Sequence, residues 1–307
     1  MGERREKGAE AGTPGLVCVA PVGDRCGEGA IWDAAGGAVF WTDINRFLIH
    51  RLDAASGGVR SWFFDEPVVA LSLTDRDGTM LVALGSRLIL WQPENDRRTD
   101  QGFALDGWPR VRLNDGRADP AGRFWVGSMK NNVEPDGESS EAGDGEGTLF
   151  RVDAGGAAAV FREGLGIPNT LCWSPDGRFF YTGDTLHNVI RRYDYDAANG
   201  TISNETAFFK DFERGLPDGS AIDAEGFLWN CRWGGGCVVR IAPDGTVDRV
   251  IDMPALNVTT AVFGGADLTS LYITTARGDR PGDRLAGSLF RLDTAVRGLS
   301  ENRFRIG

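Results

Sequence analysis

The segment GRADPAGRFWVGSM, residues 116–129, places a polar turn between two apolar stretches, and versions of it recur along the chain. The other copies are AIWDAAGGAVFWTD (30–43), SLTDRDGTMLVAL (72–84), LCWSPDGRFFYTGD (171–184), SAIDAEGFLWNCRW (220–233) and AVFGGADLTSLYIT (261–274). Each copy is typical of a strand, a tight turn and a second, aromatic-rich strand. A third strand follows in each case, with sequences such as LIHRLD, TLFRVD and LFRLD.

The spacing of these copies predicts the architecture. The turn anchors are Asp33, Asp75, Asp119, Ser174, Asp223 and Gly264, which are 42, 44, 55, 49 and 41 residues apart. A four-stranded unit repeated at this interval is typical of a β-propeller. We therefore predict an all-β fold, a six-bladed β-propeller with four-stranded antiparallel blades around a central channel. Residues 1–15 are expected to be a disordered tail and 16–307 a single domain, whose strand near residues 16–20 closes the ring on the last blade.

The composition argues against several classes of partner. The chain has 307 residues and a formal net charge of −11, which disfavours binding to nucleic acid or to an anionic membrane surface. No apolar stretch approaches the ~20 residues that span a bilayer, and the charged N-terminus lacks a signal-peptide core. Five cysteines without zinc-ligand spacing suggest free thiols in a reducing compartment. We expect a cytoplasmic protein with no obligate protein partner.

One position of the repeat is polar in most copies. Five residues before each anchor, at the start of the innermost strand, stand Glu28, Ala70, Asn114, Asn169, Asp218 and Thr259. Equivalent positions of successive blades meet at one end of the channel, so these side chains are predicted to lie together. Carboxylate and amide oxygens without His or Cys suit a hard cation such as Ca²⁺, Mg²⁺ or Mn²⁺. The alternative is a polar channel that holds only water.

Such a centre would support hydrolysis. Asp218 is the candidate general base, because a carboxylate beside a metal ion can accept a proton from water. Arg112, two residues before Asn114, is expected to hold substrate hydroxyls or a developing oxyanion, or else to pair with a neighbouring acid. The loop KNNVEPDGESSEAGDGEG, 130–147, is predicted to lie over the channel mouth, either as a mobile lid or as a tolerated insertion.

Several segments together resemble the SMP-30/gluconolactonase/regucalcin-like family. They are RCGEGAIWD, RLNDGRADPAGRFWVGSM, GIPNTLCWSPDG, LPDGSAIDAEGFLW and VTTAVFGG, and the likeness extends from about residue 26 to 293. The resemblance implies one divalent metal ion held by Glu28, Asn169 and Asp218. It also implies substrate contacts from Arg112 and Asn114, and Asp218 as the general base. The implied activity is hydrolysis of sugar-acid lactones to aldonic acids.

One departure from the family pattern leaves the substrate open. Many members carry a Glu shortly after the residues that match Gly127-Ser128-Met129, whereas here Asn132 stands nearest that position. An amide can bind a sugar hydroxyl without a charge, so glucono-, xylono- and arabinonolactone all stay possible substrates. The metal stays open among Ca, Mg, Mn, Zn and Fe. Two other functions remain: a phosphotriesterase-like calcium propeller with Asn114 as a direct ligand, and a non-catalytic calcium-binding regulatory protein.

Overall fold

The protein is a ring of four-stranded sheets in a computed structural model that describes residues 13–278 and 283–307. These residues form strands and turns, and none of them belongs to a helix long and apolar enough to cross a membrane. In chain order the strands are β1 (Leu16–Ala20), β2 (Gly27–Asp33), β3 (Ala38–Asp43), β4 (Leu48–Asp53), β5 (Val59–Phe63), β6 (Val68–Thr74), β7 (Met80–Leu84), β8 (Arg87–Gln92), β9 (Arg97–Ala104), β10 (Val111–Ala118), β11 (Phe124–Lys130), β12 (Gly147–Val152) and β13 (Ala158–Leu165). They continue with β14 (Pro168–Trp173), β15 (Phe179–Asp184), β16 (Val189–Asp196), β17 (Thr201–Lys210), β18 (Leu216–Ile222), β19 (Leu228–Trp233), β20 (Cys237–Ile241), β21 (Val247–Asp252), β22 (Asn257–Gly264), β23 (Ser270–Ala276), β24 (Leu289–Asp293) and β25 (Arg303–Phe304).

The sheets confirm the predicted six-bladed propeller. Blades 1 to 5 are β2–β5, β6–β9, β10–β13, β14–β17 and β18–β21, and blade 6 combines β22–β24 with β1. The innermost strands β2, β6, β10, β14, β18 and β22 each contact the next around the ring. The N-terminal strand closes the ring, because Leu16 of β1 pairs antiparallel with Leu292 of β24. The predicted tail falls mostly on residues 1–12, which lie outside the described residues, and that prediction stays open.

The repeated turn is held by the aspartate that anchors it. The Oδ1 atom of Asp119 accepts hydrogen bonds from the backbone N–H groups of Ala121 and Arg123 at 2.9 and 3.0 Å. Its Oδ2 atom accepts from the indole Nε1 of Trp125 at 3.0 Å. In blade 5 the indole of Trp229 donates to Asp223 in the same way, at 2.9 Å. The six-residue spacing from aspartate to tryptophan therefore joins the turn to the buried second strand.

Apolar packing between blades keeps the innermost strands in position. Within the described residues six apolar clusters fill the ring, one at each junction between neighbouring blades. Trp91 packs edge-on against Trp62 across the junction of blades 1 and 2, and Trp125 packs against Phe180 across the junction of blades 3 and 4. Each fully buried aromatic side chain contributes about 2 kcal/mol by leaving water. The ring is therefore a rigid frame for the residues that face the channel.

The C-terminal segment crosses the end of the channel where the turn anchors lie. β25 pairs parallel with β6, and Gly298 forms a bridge with Asp223 of blade 5. Asn302 donates from Nδ2 to the carbonyl oxygen of Ala118 at the end of β10, at 3.1 Å. The opposite end, where the innermost strands begin, is left as the mouth of the channel.

Candidate functional site

All six side chains that the sequence nominates line one cavity at this mouth. Its volume is about 720 Å³, and the nominated residues on its wall are Glu28, Arg112, Asn114, Asn132, Asn169 and Asp218. The structure thus brings together residues from blades 1, 3, 4 and 5. Their assigned roles remain predictions.

A shared irregularity of the innermost strands turns these side chains toward the channel. In every blade the pairing with the second strand shifts register near the start of the innermost strand. The shifts follow Glu28, Val68, Leu113, Asn169, Pro217 and Val258. A β-bulge places an extra residue in one strand and re-aims the side chains beside it. The sequence repeat therefore reproduces both the register and the local bend that exposes each polar side chain to the channel.

Glu28 and Asp218 form a close pair of buried carboxyl groups. Their residues are 7% and 5% exposed, and the two groups are near enough to share a proton. Burial raises the pKa of both carboxyls well above the usual range, and the charge of Asp115 raises both pKa values further. Among the described residues neither group has an ion-pair partner. Two adjacent buried acids without a directly paired cation are an unfavourable arrangement that a bound cation would relieve.

Hydrogen bonds orient the two amides beside this pair. Asn114 donates from Nδ2 to the carbonyl oxygen of Pro168 at 3.0 Å and to Oδ1 of Asn169 at 3.3 Å. Asn169 donates from its own Nδ2 to Oγ1 of Thr185 at 2.8 Å. Both amide nitrogens therefore donate to protein oxygens, and the Oδ1 atom of Asn169, which accepts from Asn114, keeps a second lone pair for a ligand.

This donor set fits a divalent cation. Two carboxylates and an amide oxygen are hard ligands of the kind that Ca²⁺, Mg²⁺ and Mn²⁺ prefer. Nowhere in ranges 13–278 and 283–307 do three or more His, Cys, Asp or Glu side chains gather as a metal site. The fit therefore depends on the amide of Asn169 beside Glu28 and Asp218, a combination of two acids with a neutral ligand.

Arg112 is held by neutral partners rather than by an acid. Its Nη1 atom donates to Oδ1 of Asn114 at 2.7 Å and to the carbonyl oxygen of Leu113 at 2.9 Å. Its Nε and Nη2 atoms both donate to Oδ1 of Asn132, at 3.2 and 2.8 Å. Burial lowers the pKa of Arg112 to about 10, so the guanidinium stays charged at neutral pH. The alternative of an ion pair with a neighbouring acid does not hold in the described structure.

The loop 130–147 lies over the mouth, as predicted from its place between the second and third strands of blade 3. Asn45 of blade 1 donates from Nδ2 to the carbonyl oxygen of Gly137 at 2.9 Å. Arg25 forms an ion pair with Glu138 at 2.9 Å. The loop thus reaches across the mouth from blade 3 to blade 1. Whether it moves as a lid stays a prediction.

The loop also contacts the other side of the mouth. Asp144 lies 3.4 Å from Nε2 of His187 in blade 4, and the Nδ1 atom of that histidine lies 2.7 Å from the buried carboxylate of Asp184. Ser140 and Ala142 of the loop are part of the cavity wall. A ligand in the cavity would therefore lie under residues of this segment.

Three buried residues that support Asp218 were missed by the sequence analysis. The carbonyl oxygen of Asp218 accepts hydrogen bonds from Oγ1 of Thr170 and from Nδ2 of Asn230, the latter at 3.2 Å. Thr170 has a φ of 54°, a left-handed conformation that is strained for a β-branched residue and is held here by these contacts. The third residue, Arg232, donates to Oδ1 of Asn230 at 3.0 Å. The polar alternation in LWNCRW was the available signal, since a buried second strand needs no Asn or Arg.

The comparison with known proteins agrees with this architecture. Residues 26–277 match the region that defines the SMP-30/gluconolactonase/LRE-like proteins. The chain belongs to the SMP-30/gluconolactonase/LRE-like family. All six nominated residues fall inside the matched region.

Similar proteins are named either as sugar lactonases or as a calcium-binding protein. The chain is 37% identical to pentonolactonase XacC of Haloferax volcanii, over 91% of this chain and 94% of that protein. It is 33% identical to a 6-deoxy-6-sulfogluconolactonase of Pseudomonas putida, over 94% and 98% of the two chains. A crystal structure of a calcium-binding protein, regucalcin, from Agrobacterium tumefaciens superimposes with a TM-score of 0.87. It is 30% identical and covers 95% of this family member and 98% of its own chain.

Proposed function

We propose that this protein hydrolyses the lactone of a sugar acid to the aldonic acid, and that the reaction depends on one divalent metal ion. The observation that carries the proposal is the buried carboxyl pair of Glu28 and Asp218 on the floor of the cavity. Beside this pair, Arg112, Asn114 and Asn132 form what we call the arginine–amide wall. Two relatives that match nearly the whole chain are named as sugar lactonases, which supports the substrate class.

Glu28, Asn169 and Asp218 are the residues that would hold the ion. When bound, a divalent cation polarises a carbonyl group and lowers the pKa of water. It also lets both carboxyls exist as carboxylates in a buried site, because its charge offsets their repulsion. The identity of the ion is part of the experiment rather than of the proposal.

Asp218 is assigned the role of general base. Its carboxylate accepts a proton from the water that attacks the lactone carbonyl, which forms a new C–O bond. The bond between the carbonyl carbon and the ring oxygen then breaks, and the ring oxygen leaves as a hydroxyl group after it gains a proton. The product is an open-chain acid that ionises, so each turnover releases one proton to the solution.

Arg112, Asn114 and Asn132 are assigned to substrate positioning. Asn132 uses Oδ1 for Arg112, and its Nδ2 donor is available to a sugar hydroxyl within the cavity. Arg112 has its charge fixed beside the cavity by Asn114 and Asn132, so it can hold an oxygen of the substrate without rearrangement.

The geometry favours this function over a phosphotriesterase-like one. That alternative needs Asn114 as a direct metal ligand, whereas its Oδ1 atom accepts a short hydrogen bond of 2.7 Å from the guanidinium of Arg112, whose positive charge disfavours a second cation there. The Oδ1 atom of Asn169 accepts only a longer hydrogen bond of 3.3 Å, from the neutral amide of Asn114. The non-catalytic calcium-binding alternative draws support from the name of the Agrobacterium structure. A calcium-binding role without catalysis does not account for the arginine–amide wall beside the carboxyl pair.

A panel of lactones tests the proposal. The protein is stripped of metal and then supplied separately with Ca²⁺, Mg²⁺, Mn²⁺, Zn²⁺ or Fe²⁺. Proton release from glucono-, galactono-, xylono- and arabinonolactone is followed with a pH indicator, with spontaneous hydrolysis subtracted. Metal-dependent turnover of at least one lactone is the expected result. Tight metal binding without turnover of any lactone would support the regulatory alternative, and faster turnover of an organophosphate would support the phosphotriesterase.

A further inference from the structure

The cavity is larger than one sugar lactone requires, an observation that bears on substrate size and rests on the proposed function. Its volume is about 720 Å³. A hexonolactone has about twelve non-hydrogen atoms. If each of them took the roughly 30 Å³ that a molecule of liquid water occupies, which is a generous allowance, the lactone would fill only about half of this space. The remaining volume is enough for a second group of similar size beyond the carboxyl pair.

The spare volume has an apolar wall at the mouth. Blades 4, 5 and 6 are consecutive in the ring, and each contributes large apolar residues to the cavity. These residues are Ile167, Leu186, Leu216, Trp233 and Leu256. Trp233, the last residue of β19, is 36% exposed, and Leu186, in the turn after β15, is 38% exposed. Exposed large apolar side chains grouped at a cavity mouth indicate a ligand-binding surface.

The rest of the mouth is polar, and it combines uncharged side chains with the two arginines Arg25 and Arg277. Asn45 and Ser140 lie on the blade 1 and loop side, and Asn257 lies beside the apolar wall at the start of β22. An alkyl chain would leave these hydrogen-bonding groups without partners when it displaced their water. A sugar ring offers apolar C–H faces for an aromatic side chain and hydroxyl groups for amides and serines.

We propose that the mouth of the cavity is a second sugar subsite, and that the protein accepts the aldonolactone of a disaccharide. The lactone ring would lie on the floor beside Asp218 and Arg112. The glycosidically linked ring would lie at the mouth, with one C–H face against the indole of Trp233. Binding energy from this distal ring is available to position the lactone over the floor residues.

The test compares gluconolactone with two derivatives that extend it at the same oxygen, 4-O-glucosylgluconolactone and 4-O-butylgluconolactone. The specificity constant kcat/KM of each is measured for the full chain with its activating metal ion. The variants are Trp233→Ala and Trp108→Ala. Trp108 is a matched control, because it is also 36% exposed but packs over Gly85 and does not line the cavity.

We expect kcat/KM for the glucosyl derivative to equal or exceed that for gluconolactone, and to exceed that for the butyl derivative. Trp233→Ala is expected to lower the ratio of glucosyl to unsubstituted kcat/KM by about tenfold, whereas Trp108→Ala leaves the ratio unchanged. Trp233→Phe should recover part of the loss, since a phenyl ring retains a stacking face.

Three outcomes would overturn the subsite. They are turnover of gluconolactone without turnover of its glucosyl derivative, preference for the butyl derivative, and an unchanged ratio in Trp233→Ala. Failure of the proposed function looks different, because then none of the three lactones is hydrolysed with any metal ion.

Discussion

Arg232 and Asn230 are joined by a hydrogen bond of 3.0 Å, from Nη1 to Oδ1, directly beneath the backbone of Asp218. Both residues are 0% exposed. Arg232 makes no ion pair within the described ranges, and its other hydrogen bonds go to neutral oxygens such as Oδ1 of Asn188 at 2.8 Å. Burial lowers the pKa of Arg232 to about 10, so it remains a cation at neutral pH. A buried cation with neutral partners is costly, which suggests that its place near Asp218 matters.

We expect Arg232 and Asn230 to be energetically coupled. Removal of either side chain leaves buried polar partners without hydrogen bonds, which costs roughly 1–3 kcal/mol for each such group. Arg232→Met, Asn230→Ala and the double variant should therefore show a coupling free energy of about 1 kcal/mol in urea unfolding. Free energies of unfolding that simply add would show that the two side chains are not coupled.

Asp218→Asn should abolish most of the proposed activity. The amide has the shape of the carboxyl group but cannot accept the proton of water, so kcat for lactone hydrolysis is expected to fall by about 10³-fold. The matched control is Asp267→Asn, which changes an exposed aspartate in the blade 6 turn. The assay is proton release with the activating metal at saturation. A variant that retained near-full turnover would remove Asp218 from the role of base.

Arg112→Lys should weaken substrate binding while the charge is kept. A lysine cannot reproduce the two hydrogen bonds to Asn132 together with the one to Asn114. We expect KM to rise by about tenfold or more, with a smaller fall in kcat, in steady-state kinetics. Arg60→Lys is the control, because Arg60 is exposed and stacks on Trp62 far from the cavity. Equal KM values in Arg112→Lys and the unaltered protein would contradict the positioning role.

Metal binding should stabilise the fold through the carboxyl pair. A cation that binds only the folded protein, at about 100 times its Kd, adds about 2.7 kcal/mol to the free energy of unfolding. For a chain of this size we expect Tm to rise by about 4 °C when metal is restored to stripped protein. Glu28→Gln should remove most of this rise, whereas Glu94→Gln, an exposed change, should keep it. Calorimetry with each cation in turn makes the measurement, and an undiminished rise in Glu28→Gln would exclude Glu28 as a ligand.

Gly137→Ala should detach the loop 130–147 from blade 1. Gly137 has a φ of +80°, and a Cβ atom there would overlap the carbonyl oxygen of Asn45. Gly145 is the matched control, because its φ is +77° but a Cβ atom would meet nothing within 4 Å. We expect faster cleavage of the loop by a glutamate-specific protease and a fall in kcat/KM of about fivefold in Gly137→Ala only. Identical cleavage rates and kinetics in the two variants would show that docking of the loop has no role.

The sequence repeat was enough to predict the fold and the residues on the floor of the cavity. Each blade obeys the same pattern of innermost strand, aspartate-anchored turn and aromatic second strand, so one alignment places Glu28, Asn114, Asn169 and Asp218 at one channel end. The period also explained the loop 130–147, which lengthens one step of the repeat. Residues that vary between blades fell outside this alignment, and Asn230, whose signal was a polar side chain in a buried second strand, is an example.

The sequence by itself determined the number of blades, the closing strand and the register of the floor residues, because these follow from local hydrophobic alternation repeated at a constant interval. Only the tertiary structure decided which side chains complete the site. Asn45 and Arg25 meet the loop from 92 and 111 residues away. Arg232 donates to the side-chain oxygen of Asn188 and to the backbone carbonyl of Gly215, through contacts specific to blades 4 and 5. Such contacts depend on how neighbouring blades pack and twist against each other, and no periodic pattern encodes them.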